Sequence, residues 1–250
     1  MTVILAPYHL DEHRPDLDYP LTAEVVATAG RPDGDVWARL GTMYQNVAGL
    51  VAADTRAGGR PVVMSADCTT SLGTMAGLQR AGVMAGIVWL DAHGDVQTLE
   101  TTSSGYLGGI PLRVLAGYRP ELIATRLGLA PVPERDIALV GARDLDPPEA
   151  DYLAGAQIRQ LPVAGLAAAA LPAGPLYLHL DLDVIDPAAV PGLLFPAPGG
   201  PGPQEVMAAL ARVLATGRVA AVGIGCTWSA GHGAAAAVGP GLAAVLASWV

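Results

Sequence analysis

Gly86-Ile-Val-Trp-Leu-Asp91-Ala-His93-Gly-Asp95 is an apolar run that ends in two carboxylates and an imidazole. The uncharged start reads as a buried strand, and strands buried on both faces belong to parallel sheets covered by helices. A second run of the same kind follows some ninety residues later, Leu176-Tyr-Leu-His-Leu180, and ends in Asp181-Leu-Asp183-Val-Ile-Asp186-Pro187. Strand side chains repeat every two residues, so Asp181 and Asp183 share one side. Asp91, Asp95, Asp181, Asp183 and His93 are therefore expected to converge at one sheet edge.

Carboxylates gathered in a dry cleft repel one another unless a cation neutralises them, so this cluster asks for metal. The mixed oxygen and imidazole donors suit Mn²⁺ first, with Zn²⁺ or Fe²⁺ as alternatives. Two ions sharing bridging carboxylates would make hydroxide available from water at neutral pH. The plain structural reading is that Asp91, Asp95 and Asp183 cap helices. Capping explains one Asp per loop, not two and a His.

Outward from these motifs, strand and helix patterns alternate. Val3–Ala6, Pro61–Met64, Ile137–Val140 and Val219–Ile224 read as strands; Asp35–Ala52, Ser71–Arg80, Pro111–Ala116, Gln204–Thr216 and Val238–Val250 read as helices. A further helix follows Asp146-Pro147, its start marked by proline. The pattern predicts one domain over residues 1–250: an α/β fold of three layers, α/β/α, with a mainly parallel sheet and the site along its carboxyl edge. His9 and His13 fall in a polar loop and read as solvated.

The 250 residues are just over half apolar, enough for one core, and the formal charge of −9 argues against nucleic-acid or anionic-membrane partners. All 14 basic residues are Arg. Two cysteines, Cys68 and Cys226, make no disulfide framework, and Met1-Thr-Val-Ile-Leu-Ala6 lacks the pattern of a secretory signal. Cytoplasmic residence is the expectation. No uninterrupted apolar run approaches the roughly 20 residues of a membrane span.

The motifs Asp91-Ala-His-Gly-Asp95, Ser104-Gly105 with Gly109 and Pro111, Gly141-Ala-Arg-Asp-Leu-Asp146-Pro and Asp181-Leu-Asp-Val-Ile-Asp-Pro187 follow one another between about Pro61 and Gly200. In this order they resemble the ureohydrolases, the family of arginase, agmatinase and formiminoglutamase. The resemblance implies a binuclear manganese centre in which Asp91 and Asp181 bridge, Asp95 serves one metal, and His93 and Asp183 serve the other. It also implies that Asp95 takes the proton of the attacking water, and that the chain forms trimers or hexamers. Gln97, Thr102 and Ser104 match positions that contact a substrate carboxylate, with Gln97 replacing an Asn. Asp146 and Glu149 match those that receive an α-amino group, although both are also ordinary residues of a helix first turn.

Three departures bear on the substrate. Ser65-Ala-Asp67-Cys68 stands where the family carries Gly-Gly-Asp-His, which puts Cys68 in the place of a metal-binding histidine. Asp67 orients a ligand or caps a helix. Gly108 stands where the family has a proton-handling histidine; His232, in a Gly-flanked stretch, is the candidate to replace it, with solvent exposure in a loop as the other reading. Gly225-Cys-Thr-Trp228 stands where arginases place a Glu that holds the guanidinium, and Trp228 is read at that position. A strongly basic guanidinium would lack its partner, whereas an N-hydroxyguanidino group is less basic and can enter neutral. The expectation is hydrolysis of Nω-hydroxy-arginine to hydroxyurea and ornithine, in a specialised pathway such as antibiotic biosynthesis. Arginine and agmatine are the alternatives, with Glu205 as the acid that could fill the gap, and a non-catalytic metal- or ligand-binding role is a third.

Overall fold

The computed structural model describes residues 1–30 and 33–249. Its strands are β1 (Thr2–Ala6), β2 (Tyr8–His9), β3 (Glu12–His13), β4 (Val25–Val26), β5 (Pro61–Ser65), β6 (Gly86–Leu90), β7 (Ile137–Val140), β8 (Arg159–Leu161), β9 (Leu176–Asp181) and β10 (Val219–Gly225). The helices are α1 (Val36–Arg56), α2 (Ser71–Arg80), α3 (Pro111–Leu115), α4 (Ala124–Leu127), α5 (Pro147–Gly155), α6 (Pro203–Leu214) and α7 (Ala234–Ala247).

Eight strands form one sheet in the order β4-β1-β5-β10-β9-β6-β7-β8, and every pairing in it is parallel. The central strands β5, β6 and β9 are buried at every position, as the uninterrupted apolar runs require. Two cores result. One, holding Trp89, Tyr177 and Tyr44, lies between the sheet and α1–α4; the other, holding Leu178, Val222 and Trp228, lies under α6 and α7. The expected three-layer parallel fold is what the chain adopts.

Local chemistry sets the boundaries. Asp35 caps α1 by accepting from the Ala38 N–H at 2.8 Å, and proline opens α3, α5 and α6. The closing helix begins four residues earlier than the expected Val238 because Ala234–Ala237 are good helix formers after Gly233 at φ +83°. The expected end of that helix at Val250 lies outside the described residues. The short edge strands β4 and β8 and the β2–β3 hairpin are too brief to show a period. Among the described residues no helix is long and apolar enough to cross a membrane.

Candidate metal centre and substrate cavity

Register brings the ligands level. In the parallel ladder Leu90 pairs with Leu180, while Gly225 pairs with both Asp181 and Ser65, so the loops after β5, β6, β9 and β10 leave the sheet together. The carboxyl ends of parallel strands are where such folds place their sites. Cys68, Asp91, His93, Asp95, Gln97, Thr102, Ser104, Asp146, Glu149, Asp181 and Asp183 all line one cavity of about 160 Å³, joined by Tyr106, Phe195 and Thr227.

At the strand side the groups are crowded and dry. Asp91, Asp95, Asp181, Asp183 and Cys68 are each no more than 5% exposed. His93 Nδ1 lies 3.3 Å from Asp91 Oδ1 and 3.1 Å from Asp183 Oδ2, and Cys68 Sγ lies 2.9 Å from Asp181 Oδ2. Thr227 Oγ1 and the Asp183 N–H donate to Asp181 Oδ1, the Ala92 N–H donates to Asp183 Oδ1, and Trp89 Nε1 donates to Asp91 Oδ2. Asp95 Oδ2 has no partner among the described residues, and its backbone sits at φ +54°, an uncommon conformation for a residue other than glycine.

Burial drives the Asp95 and Asp181 carboxyls well above the ordinary range, reinforced by the neighbouring carboxylates, and brings Asp183 to about 6. Burial would push the His93 imidazole down, but its bonds to Asp183 and Asp91 outweigh that and carry it to about 12. Asp91 is lowered: burial opposes its ionisation, and His93 more than offsets burial. A cation among these groups would offset the burial and mutual repulsion that oppose their ionisation. The donors fit a pair of divalent ions: Asp91 belongs to two separate groups of possible ligands, one with His93 and Asp183 and one with Cys68 and His179. The β10 wall leaves room for them, because a Cβ on Gly225 would stand 3.0 Å from Asp181 Oδ2 and 3.3 Å from Cys68 Sγ.

At the helix side the polar groups are paired. Glu149 accepts from the Val96 and Asp146 N–H groups, each at 3.2 Å, and Gln97 Nε2 donates to Asp146 Oδ2 at 2.8 Å. Thr102 Oγ1 and Ser104 Oγ accept from the N–H groups of Gly105 and Tyr106, which shapes the loop that carries them. Asp146 is exposed towards the opening while Glu149 is buried.

Several expectations are corrected by position. His232 is exposed, packs over Gly192, and does not line the cavity, because the loop after β10 carries it outward. Trp228 is buried in the opposite core, its Nε1 donating to the Asp18 carbonyl, and the side chain that faces the cavity after β10 is Thr227. Glu205 opens α6 beside a different cavity and does not supply the missing acid. Asp67 is fully buried, accepts from the N–H groups of Thr69 and Leu10, and caps its turn. Through Leu10 it also holds the β2–β3 hairpin against the site.

That hairpin explains the glycine at 108. A side chain there would overlap the Tyr106 ring, whose Oη lies 3.3 Å from His9 Nε2. His9 Nδ1 lies 3.0 Å from the Ala66 carbonyl, an acceptor, so Nδ1 carries the proton and Nε2 is left to accept from Tyr106. His9 is therefore not merely solvated, as the loop composition suggested. Two further residues were missed. His179 stands two positions before Asp181 on the same strand, so the period of two that placed the carboxylates already put its ring on their side. Thr227 lies one residue from the misassigned Trp228, beyond the end of β10, where strand alternation stops being a guide.

A sequence model of the Arginase family matches residues 5–225. The chain is 31% identical over 231 residues to the arginase of Eremothecium gossypii, covering 86% of this chain and 57% of that protein. It is 33% identical over 153 residues to the arginase of Bacillus subtilis, covering 56% of this chain and 52% of that protein. With the N(omega)-hydroxy-L-arginine amidinohydrolase of Streptomyces lavendulae it shares 34% over 151 residues, 59% of this chain and 53% of that one. The chain thus spans little more than half the length of these relatives. A crystal structure of Bacillus subtilis arginase superposes with a TM-score of 0.83 at 24% identity, covering 99% of this chain and 97% of that one, and shares the fold.

Proposed function

The chain belongs to the arginase family, and from that premise we propose that it is a metal-dependent hydrolase of the guanidino-type end of an α-amino acid, with Nω-hydroxy-arginine as the favoured substrate and hydroxyurea and ornithine as products. The observation that carries the choice is Thr227: the side chain facing the cavity beyond β10 is a neutral hydroxyl already committed to Asp181. A guanidinium cation arriving there would meet no carboxylate of its own, whereas the less basic N-hydroxyguanidino group enters neutral. A relative whose name states that activity is among the similar proteins.

Two divalent ions held by Asp91, Asp95, Asp181, Asp183, His93 and Cys68 would supply a hydroxide nucleophile at neutral pH and offset the charge that develops on attack. Asp95 takes the proton of the attacking water in this reading, which its buried Oδ2, without a partner among the described residues, supports. Tyr106 Oη and His9 Nε2 link the cavity to the half-buried hairpin and form a proton relay that replaces the histidine absent at Gly108. Asp146 and Glu149 receive the α-amino group at the opposite end, while Gln97, Thr102 and Ser104 meet the carboxylate. Mn²⁺ suits the position with His93 and Asp183, and Cys68 softens the other. Assembly as a trimer or hexamer, residence in the cytoplasm and a place in a specialised biosynthetic pathway complete the reading.

Comparison of kcat/KM for Nω-hydroxy-arginine and arginine on the metal-loaded protein tests it, with a preference of at least about tenfold expected from one unpaired charge. A preference for arginine would overturn the substrate assignment. Activity on neither, in protein carrying two ions, would favour a non-catalytic role.

A further inference from the structure

Beneath the cavity floor, on the face of β9 that carries Asp181, the His179 ring is 2% exposed and its Nε2 has no hydrogen-bond partner among the described residues. We propose that one position of the metal centre is a sulfur- and nitrogen-bound site in which Cys68 Sγ, His179 Nε2 and the Asp91 carboxylate hold a softer divalent ion, Zn²⁺ by preference, beside a harder position built from Asp91, His93 and Asp183. The inference rests on the metal-centre reading and adds to it a ligand that the family resemblance does not assign.

Cys68 Sγ, an Asp91 carboxylate oxygen and a ring nitrogen of His179 lie within 4.8 Å of one another, and all three residues are buried. Asp181 Oδ2, 2.9 Å from Cys68 Sγ, is available as a fourth donor. One nitrogen, one sulfur and two carboxylate oxygens make a four-coordinate set of the kind zinc accepts, and the thiolate disfavours Mn²⁺.

The surroundings are those of a held ligand. Histidines that bind metal donate the proton of their other ring nitrogen to a nearby acceptor. Here His179 Nδ1 lies 3.2 Å from Tyr177 Oη, an oxygen able to accept the Nδ1 proton in the tautomer whose Nε2 lone pair would meet the metal. The Trp89 indole stacks on the imidazole at 3.7 Å between centroids, and the same indole donates through Nε1 to Asp91 Oδ2, so one side chain fixes two of the three ligands. On the adjacent strand, position 223 is glycine, and a Cβ there would overlap Tyr177 Oη and stand 3.1 Å from His179 Nδ1. Coordination would release the Cys68 thiol proton to solvent, leaving a thiolate paired with the cation.

Cobalt reports the site without any assay of activity. Metal-free protein titrated with one equivalent of Co²⁺ is expected to show a thiolate-to-metal charge-transfer band in the near ultraviolet and the intense visible bands of four-coordinate cobalt. Cys68→Ser should abolish the first. His179→Gln should keep the charge-transfer band, alter the visible bands and weaken Zn²⁺ binding by about 10- to 100-fold, with Mn²⁺ affinity at the harder position unchanged. If that variant fails to fold, X-ray absorption at the zinc edge of the unaltered protein with one Zn²⁺ decides between one sulfur with one imidazole and no sulfur. Two bound ions with no charge-transfer band, or a His179→Gln spectrum and affinity equal to the unaltered protein, would overturn the sulfur and nitrogen position and leave the hydrolase reading standing. No bound ion at all would overturn both.

Discussion

At the strand side of the cavity Asp95 and Asp181 are buried among like charges, and Asp95 keeps an oxygen with no partner; at the helix side Glu149 is just as buried, yet two backbone N–H groups meet its carboxylate. Burial raises the carboxyl in all three cases. What differs is how the fold compensates. Glu149 takes one N–H from Asp146 in a capping box and one from Val96 in the loop after β6, so the backbone stabilises its carboxylate from both sides. At the strand side Asp181 and Asp183 also accept hydrogen bonds, but among the described residues Asp95 Oδ2 has none, and the gathered carboxylates would gain from a cation. A buried acid that the backbone leaves short is the stronger sign of a ligand.

The largest expected effect follows from removing the most connected strand-side group. Asp181→Ala should bring bound metal close to zero and lower kcat/KM by about 10³-fold or more, the scale of losing a principal electrostatic element of a site. Elemental analysis that finds both ions still bound would place Asp181 outside the centre. An intermediate effect belongs to Tyr106, which serves neither end. Tyr106→Phe should lower kcat by about 10²-fold, within the range of a general acid–base group. Metal content and KM should change little; a loss confined to KM would make Tyr106 a wall of the cavity and nothing more. The smallest effect is expected at the helix side. Glu149→Gln should leave both ions in place, raise KM by about tenfold through one weakened charge-assisted hydrogen bond, and lower Tm by about 2–4 °C as a partly lost cap. Loss of metal in this variant would break the contrast between the two ends.

Most of the fold and the strand-side ligands were legible because two local signals coincided. The runs at 86–90 and 176–180 are too apolar for a surface strand, and each ends in carboxylates spaced for one side of the chain. The proline before Glu149 marked α5 in the same way. His179 was also within reach, since it precedes Asp181 by one strand period, but an imidazole inside an apolar run draws attention only once its neighbours are known. The relation of Tyr106 to His9 was not accessible: it depends on a two-residue hairpin held by Asp67, and the partners are 97 positions apart. Thr227 and His232 lie where β10 has given way to irregular backbone, and there neither alternation nor helical spacing constrains which side chain turns inward.

The overlap between Tyr106 and any side chain at 108 has a consequence for the routes by which such a sequence can change. A histidine introduced at 108 would overlap the tyrosine ring where it now stands, so the two arrangements for moving a proton compete for the same space unless the tyrosine turns away. A lineage passing between them one substitution at a time must cross either the crowded combination or a chain with neither group. The loop around 106–108 therefore couples the two positions: the benefit of a histidine at 108 depends on what occupies 106.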